Sequence, residues 1–160
     1  MRLRRFALAL TGFALMPALA ACSSGGTTAA NGAELKTVTI RSANGAHAFQ
    51  VELARTAAEQ QRGLMYRTDI KNDGGMLFAP YPPEGGPPRE ASFWMENTPT
   101  PLDIVFIRPD GTIARIAENT VPFDKTPIPS GEPVSAVLEI LGGRAAELGI
   151  AEGDKVELPK

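Results

Sequence analysis

The chain has 160 residues, with 16 Lys and Arg against 18 Asp and Glu, one His and one Cys. That length suits one domain, and an apolar share of 43% is enough for a core. A formal charge of −2 excludes a basic nucleic-acid footprint, and one Cys with one His excludes a disulfide framework, a Cys-rich zinc site and a multi-His metal centre.

Residues 1–21 read MRLRRFALALTGFALMPALAA. Arg2, Arg4 and Arg5 give a basic start, and an uncharged apolar run follows from Phe6 to Ala21. This is a secretory signal pattern, and the run is short for a membrane span of ~20 residues. Leu19-Ala20-Ala21-Cys22 resembles the lipobox of bacterial lipoproteins, in which the cysteine thiol receives a diacylglycerol and becomes the new N-terminus. The bland alternative is a plain signal peptide cut near Ala20 or Ala21, leaving a free thiol. The only cysteine of the chain stands where an anchor needs it, which favours lipidation at Cys22. Its acyl chains would hold the protein on a membrane, each buried methylene contributing ~0.8 kcal/mol. Ser23 after the anchor points, by analogy with lipoprotein sorting, to the periplasmic face of the outer membrane.

Removal of residues 1–21 takes away three Arg and no acid, so thirteen basic and eighteen acidic residues remain, a net −5. Residues 22–34 are small and polar, as in a flexible tether. The folded domain is expected over residues 35–160.

Residues 35–42 and 46–54 alternate apolar and polar, as strands do, and Asn44-Gly45 between them is a hairpin signal. Thr56-Ala57-Ala58-Glu59 matches a capping box, which predicts a short helix over residues 57–64 closed by Gly63. A short apolar segment covers residues 75–78. Residues 79–90 hold five Pro and two Gly and read as a surface loop. Residues 91–96 read as a strand carrying Phe93, Trp94 and Met95. Residues 102–108 are apolar on both faces, the mark of a central strand. Asp110-Gly111 turns that strand into another over residues 112–117. Residues 119–133 read as a Pro-bearing loop, residues 134–141 as a second doubly apolar strand, and residues 143–148 as a helix ended by Gly149. A last strand covers residues 155–158. The sum is a mainly β domain of α+β type: a single antiparallel sheet curled into a small barrel, with two short helices.

The common enzyme motifs are absent from the sequence, including G-x-S-x-G, the P-loop, H-E-x-x-H and C-x-x-C. His47, just past the Asn-Gly turn, reads as a rim residue of a hairpin. Asp103 and Glu139 are more telling, because each interrupts an apolar strand face. A buried carboxylate needs a partner, since lone burial costs several kcal/mol. Arg62 and Arg67 are the candidate partners, as structural ion pairs or as parts of a polar pocket. Two close carboxylates would also permit glycosidase-type acid–base work. Trp94 reads either as core or as the wall of a pocket to which Asn97 and Thr98 lend hydrogen bonds.

Several segments occur in a telling order: Arg62-Gly63-Leu64-Met65-Tyr66-Arg67, then Gly75-Met76-Leu77-Phe78, then Phe93-Trp94-Met95-Glu96-Asn97-Thr98 with Pro101-Leu102-Asp103-Ile104. Val137-Leu138-Glu139, Leu148-Gly149-Ile150 and Gly153-Asp154 follow. With these the chain resembles domain-of-unknown-function family 192 over residues 35–158. The resemblance implies a small β-rich fold and no established reaction; members often carry a signal peptide or lipoprotein anchor. The family motif reads F-W-M-K-N-T, so Glu96 reverses a charge here, and the loop over residues 79–90 is longer than usual.

The leading expectation is a lipid-anchored envelope protein, more binding module than enzyme, that takes a small molecule or a protein partner. The site is expected around Arg67, Trp94, Asn97, Asp103 and Glu139, with no metal and no cofactor. The alternatives are an envelope hydrolase using Asp103 and Glu139, and a purely structural or interaction module.

Overall fold

The computed structural model describes residues 28, 29 and 32–159; the signal segment and Cys22 lie outside the described residues. Nine strands and two short helices follow in the order β1 Lys36–Ser42, β2 Gly45–Ala54, α1 Ala57–Arg62, β3 Gly74–Phe78, β4 Arg89–Phe93, β5 Leu102–Ile107, β6 Ile113–Ala117, β7 Ile128–Val134, β8 Ala136–Leu141, α2 Arg144–Leu148 and β9 Lys155–Glu157.

Seven strands form one sheet in the order β6-β5-β8-β3-β2-β1-β9. Its two edges meet. Thr112 bridges Lys155, and the Ile113 and Val156 amides donate to the carbonyls of Asp154 and Gly111 at 2.9 and 2.8 Å. The sheet is thus a nearly closed barrel, as expected. It departs from a purely antiparallel sheet at one place, because β2 and β3 run parallel. The intervening α1 supplies the crossover that a parallel pair requires. A second sheet was not foreseen: β4 and β7 pair as a two-stranded ribbon. Most of β7 lies in the segment expected to be loop. Its Pro129 and Pro133 are tolerated because the ribbon leaves an edge that needs no donor.

The barrel interior holds Val38, Ile40, Phe49, Val51, Leu77, Val105, Leu138 and Ile140, with α2 contributing Ala145. All six residues of β5 are buried, as its doubly apolar sequence requires. One side of β5 faces this interior. The other side carries Leu102, Ile104 and Phe106 into a second core. That core lies between the outer face of β3, β8 and β5 and the ribbon, with Phe78, Ala91, Met95, Val134 and Leu64 among its members. Each fully buried Val, Leu, Ile, Phe or Met side chain contributes about 1.5–3 kcal/mol.

Local chemistry sets the helix as read. Glu59 N donates to Thr56 Oγ1 at 3.2 Å and Thr56 N donates to Glu59 Oε2 at 2.9 Å, the reciprocal capping box. One glycine is demanded by close approach. A Cβ on Gly75 would stand 2.2 Å from the Glu139 carbonyl oxygen, so only glycine lets β3 pair with β8 here.

Candidate functional site

Strand register decides where the two carboxylates go. Asp103 stands opposite Ile140, and Ile104 stands opposite Glu139. Partners in register share a face and neighbours along a strand do not. Asp103 therefore points to the barrel interior side and Glu139 to the outer core. The close carboxylate pair that a hydrolase would need, an alternative reading of the sequence, does not form.

Asp103 is completely buried and fully engaged. Its Oδ1 accepts from the amides of Asn119 at 2.7 Å and Gly143 at 2.9 Å, and its Oδ2 accepts from Ala145 at 2.7 Å. Gly143 and Ala145 open α2, so β5 caps that helix from outside its own sequence. No Arg takes part. This is a structural role, in which backbone N–H groups supply the partner that burial demands.

Glu139 is the opposite case. It is 5% exposed, and its Oε2 is sealed from solvent with no hydrogen-bond partner among the described residues. Burial alone pushes its carboxyl up to about 8, because the charged form is desolvated and nothing nearby repays that cost. At neutral pH the group is mainly a neutral acid. Neither Arg62 nor Arg67 pairs with it.

What exposure Glu139 retains lies in a cleft of about 530 Å³. The walls include Phe78, Tyr81, Phe93 and Trp94, with Leu64 and Met65 from the turn after α1. The aromatic wall is braced. Phe93 meets Phe78 edge-on with centroids 5.0 Å apart, and meets Phe106 in the same way at 6.0 Å. Trp94 follows the end of β4, is 42% exposed and lines the cleft. Its neighbour Met95 is the core residue, with its amide donating to Asp124 O at 2.8 Å. The strand expected to run through residue 96 thus stops at Phe93. Two arginines border the cleft. Arg89 is held by Glu84 at 2.6 Å and sits 5.9 Å from the Tyr81 ring centroid. Arg62 is exposed and forms no ion pair among the described residues.

Arg67 and Asn97 lie elsewhere. Arg67 pairs with Glu52 at 2.9 Å and Asp69 at 2.6 Å. Those two, with Lys71 and Leu64, line a smaller cleft of about 280 Å³. Asp69 and Glu52 hold the Arg67 guanidinium's pKa above its ordinary value, and Arg67 holds the Asp69 carboxyl below its own. Glu52, Met76 and Glu139 stand side by side across β2, β3 and β8. The two acids are about 10 Å apart by strand spacing, and the Glu52 side has kept the arginine. Glu52 was not singled out in the sequence, where it reads as the polar member of an alternating strand. Asn97 has a left-handed backbone at φ 53°. Its carbonyl accepts from Tyr66 N at 2.8 Å, so it ties the loop after β4 to the turn after α1. Glu96, the charge reversal, is not part of the cleft lining; it pairs with Lys125 at 2.7 Å. His47 meets Ser42 Oγ at 3.0 Å on its hairpin.

Tyr66 and Phe123 are displayed outward, 69% and 61% exposed, with φ of 64° and 63°. Bulky residues rarely adopt that backbone, at a cost of ~1–2 kcal/mol each. Both are fixed by the same short segment, since Phe123 N donates to Thr98 O at 3.2 Å.

The model of domain-of-unknown-function family 192 (DUF192), described as "Uncharacterized ACR", matches residues 38–158. The chain is similar to a crystal structure of a protein of unknown function from Novosphingobium aromaticivorans DSM 12444. The identity is 46%, the TM-score 0.77, and the match covers 85% of this chain and 94% of that one. It is also similar to a Sinorhizobium meliloti 1021 structure that carries a provisional description as a transcription regulator. There the identity is 41%, the TM-score 0.71, and the coverage 78% and 94%. No curated protein matches the chain.

Proposed function

This chain belongs to the DUF192 family, and from that premise we propose that it is a binding protein of the cell envelope. It is anchored through a lipid on Cys22, and its β-rich domain takes a small molecule in the aromatic cleft above Glu139. One observation carries the reading: a buried carboxyl oxygen without a partner at the edge of a cleft walled by aromatic side chains. Native folds rarely leave such a group unsatisfied, and sites that do are often sites of binding. The Leu19-Ala20-Ala21-Cys22 sequence supports the anchor. The acidic balance of the chain from Cys22 onward speaks against carrying over the regulator description as DNA binding.

The site is smaller than the sequence suggested. Trp94 and Glu139 belong to it, Arg62 joins it at the rim, and Asp103 does not contribute. A hydrolase working with Asp103 and Glu139 is not supported, because the sheet separates them. A protein-contact role is favoured by one observation, the outward Tyr66 and Phe123 on strained backbone.

The test is a metabolite screen by ligand-observed NMR on the native protein and on Glu139→Gln and Trp94→Ala. Hits lost in both variants support the cleft; hits indifferent to both place binding elsewhere. Labelled fatty acid entering the native chain but not Cys22→Ser tests the anchor.

A further inference from the structure

We propose that the cleft is built for a cationic amine: an ammonium group that pairs with the Glu139 carboxyl while an apolar body rests on the aromatic wall. This rests on the cleft being a small-molecule site and names the class of ligand.

Every other acidic group that is buried here has its own partner: Asp103 has three amides and Glu52 has Arg67. Among the described residues Glu139 has neither amide nor cation, although its neighbours on the same sheet have both kinds of partner. A buried carboxyl is compensated best by a cation with hydrogen bonds to give. The fold withholds that cation among the described residues, and Glu139 lines the cleft through which one could arrive.

The walls fit the same ligand. Phe78, Tyr81, Phe93 and Trp94 all line the cleft, and the faces of aromatic rings attract cations. The wall already accommodates one, since Arg89 lies over Tyr81. The arginines do not fill the role themselves. Arg89 is engaged by Glu84 at 2.6 Å, and Arg62 is exposed, where solvent screens its charge. The titratable groups around the cleft are thus Glu84, Arg62, Arg89 and Tyr81, with the Glu52–Arg67 pair beyond Leu64. The Glu139 carboxyl, held protonated by burial, has a proton to give up when a cation pairs with it. The pairing step is then a simple exchange: the ammonium enters, the carboxyl proton leaves to solvent, and an ion pair remains.

Three probes of one shape separate the possibilities: phenethylamine, 2-phenylethanol and phenylacetate. They are titrated into the full chain in detergent at pH 7, by isotope-edited NMR of Trp94 and by calorimetry in two buffers of different ionisation enthalpy. Phenethylamine is expected to bind roughly tenfold more tightly than the alcohol, with phenylacetate weakest, and to release close to one proton. Glu139→Gln, which keeps the shape, is expected to erase the preference for amine over alcohol and the proton release. An alcohol that binds as well as the amine, or a preference that survives Glu139→Gln, overturns the amine assignment and leaves a small-molecule site. If none of the three shifts Trp94, the cleft reading fails together with it.

Discussion

Asp103 and Glu139 are one register step apart on adjacent strands, yet they meet opposite conditions. The inner acid is sealed and receives three backbone N–H groups. The outer acid is sealed on one oxygen and receives none. Burial by itself therefore says little about role. The supply of donors separates the two: it makes Asp103 architectural and leaves Glu139 open to the binding role proposed for it.

Breaking the inner site should have the largest effect. Asp103→Asn keeps the shape but turns an acceptor into an NH₂ group facing an amide. With the NH₂ in place of Oδ2 the Ala145 amide is left unpaired, and with it in place of Oδ1 the Asn119 and Gly143 amides both are. The expected loss is about 3–5 kcal/mol, read from urea unfolding, with α2 the first element to lose amide protection. A loss under about 1 kcal/mol would mean that the three amides are satisfied in other ways.

The outer site should behave in reverse. Below about pH 4.5 the Glu139 carboxyl is protonated in both folded and unfolded chains. Between there and about 8 the unfolded chain releases the proton and the folded one keeps it, so this group makes stability fall as pH rises. Above about 8 the contribution is level. Glu139→Gln removes that slope and is expected to exceed the native protein at pH 8.5 by roughly 2–4 kcal/mol, while matching it near pH 4.5. Denaturation series at pH 5, 7 and 8.5 decide it. A native profile parallel to that of the Gln variant would show that Glu139 ionises freely in the fold.

A smaller effect separates wall from core. Trp94→Ala removes a half-exposed ring and should cost about 1 kcal/mol, far less than a core aromatic. Probe affinity in the cleft is nevertheless expected to fall about fivefold, because the apolar wall is shortened. Unchanged affinity with a large stability loss would return Trp94 to the core.

Much of this contrast was legible in the residues, and some was not, for physical reasons. The Asn44-Gly45 and Asp110-Gly111 turns and the Thr56–Glu59 box are local, and they stand where the sequence places them. The double burial of residues 102–107 follows from apolar residues on both faces. The oddity of Asp103 and Glu139 was visible too, since each breaks an apolar face. Their separation was not. It depends on which residue of β5 lies opposite which residue of β8, and a shift of one residue exchanges the faces. The Glu52–Arg67 pair has the same character: its members are fifteen positions apart and meet only through tertiary packing. The ribbon strand β7 was hidden by Pro129, Gly131 and Pro133, residues that argue against a strand anywhere except at an edge.

The finest test concerns position 96, where the family pattern has lysine and this chain has Glu96. If the position belongs to the cleft, charge reversal must alter binding there. The structure puts Glu96 against Lys125 instead, outside the lining of the cleft. Glu96→Lys sets two cations together near the surface. Exposed pairs of this kind are worth ~0–1 kcal/mol, so the expected cost is small, and raising salt should reduce it further. Lys125→Glu added to Glu96→Lys restores opposite charges and should recover most of the loss. Affinity for the cleft probes is expected to stay within about twofold throughout, since the changed charge lies outside the cleft and is screened. A larger change would bring the loop after Trp94 into the site, and with it the charge that distinguishes this chain from its family's pattern.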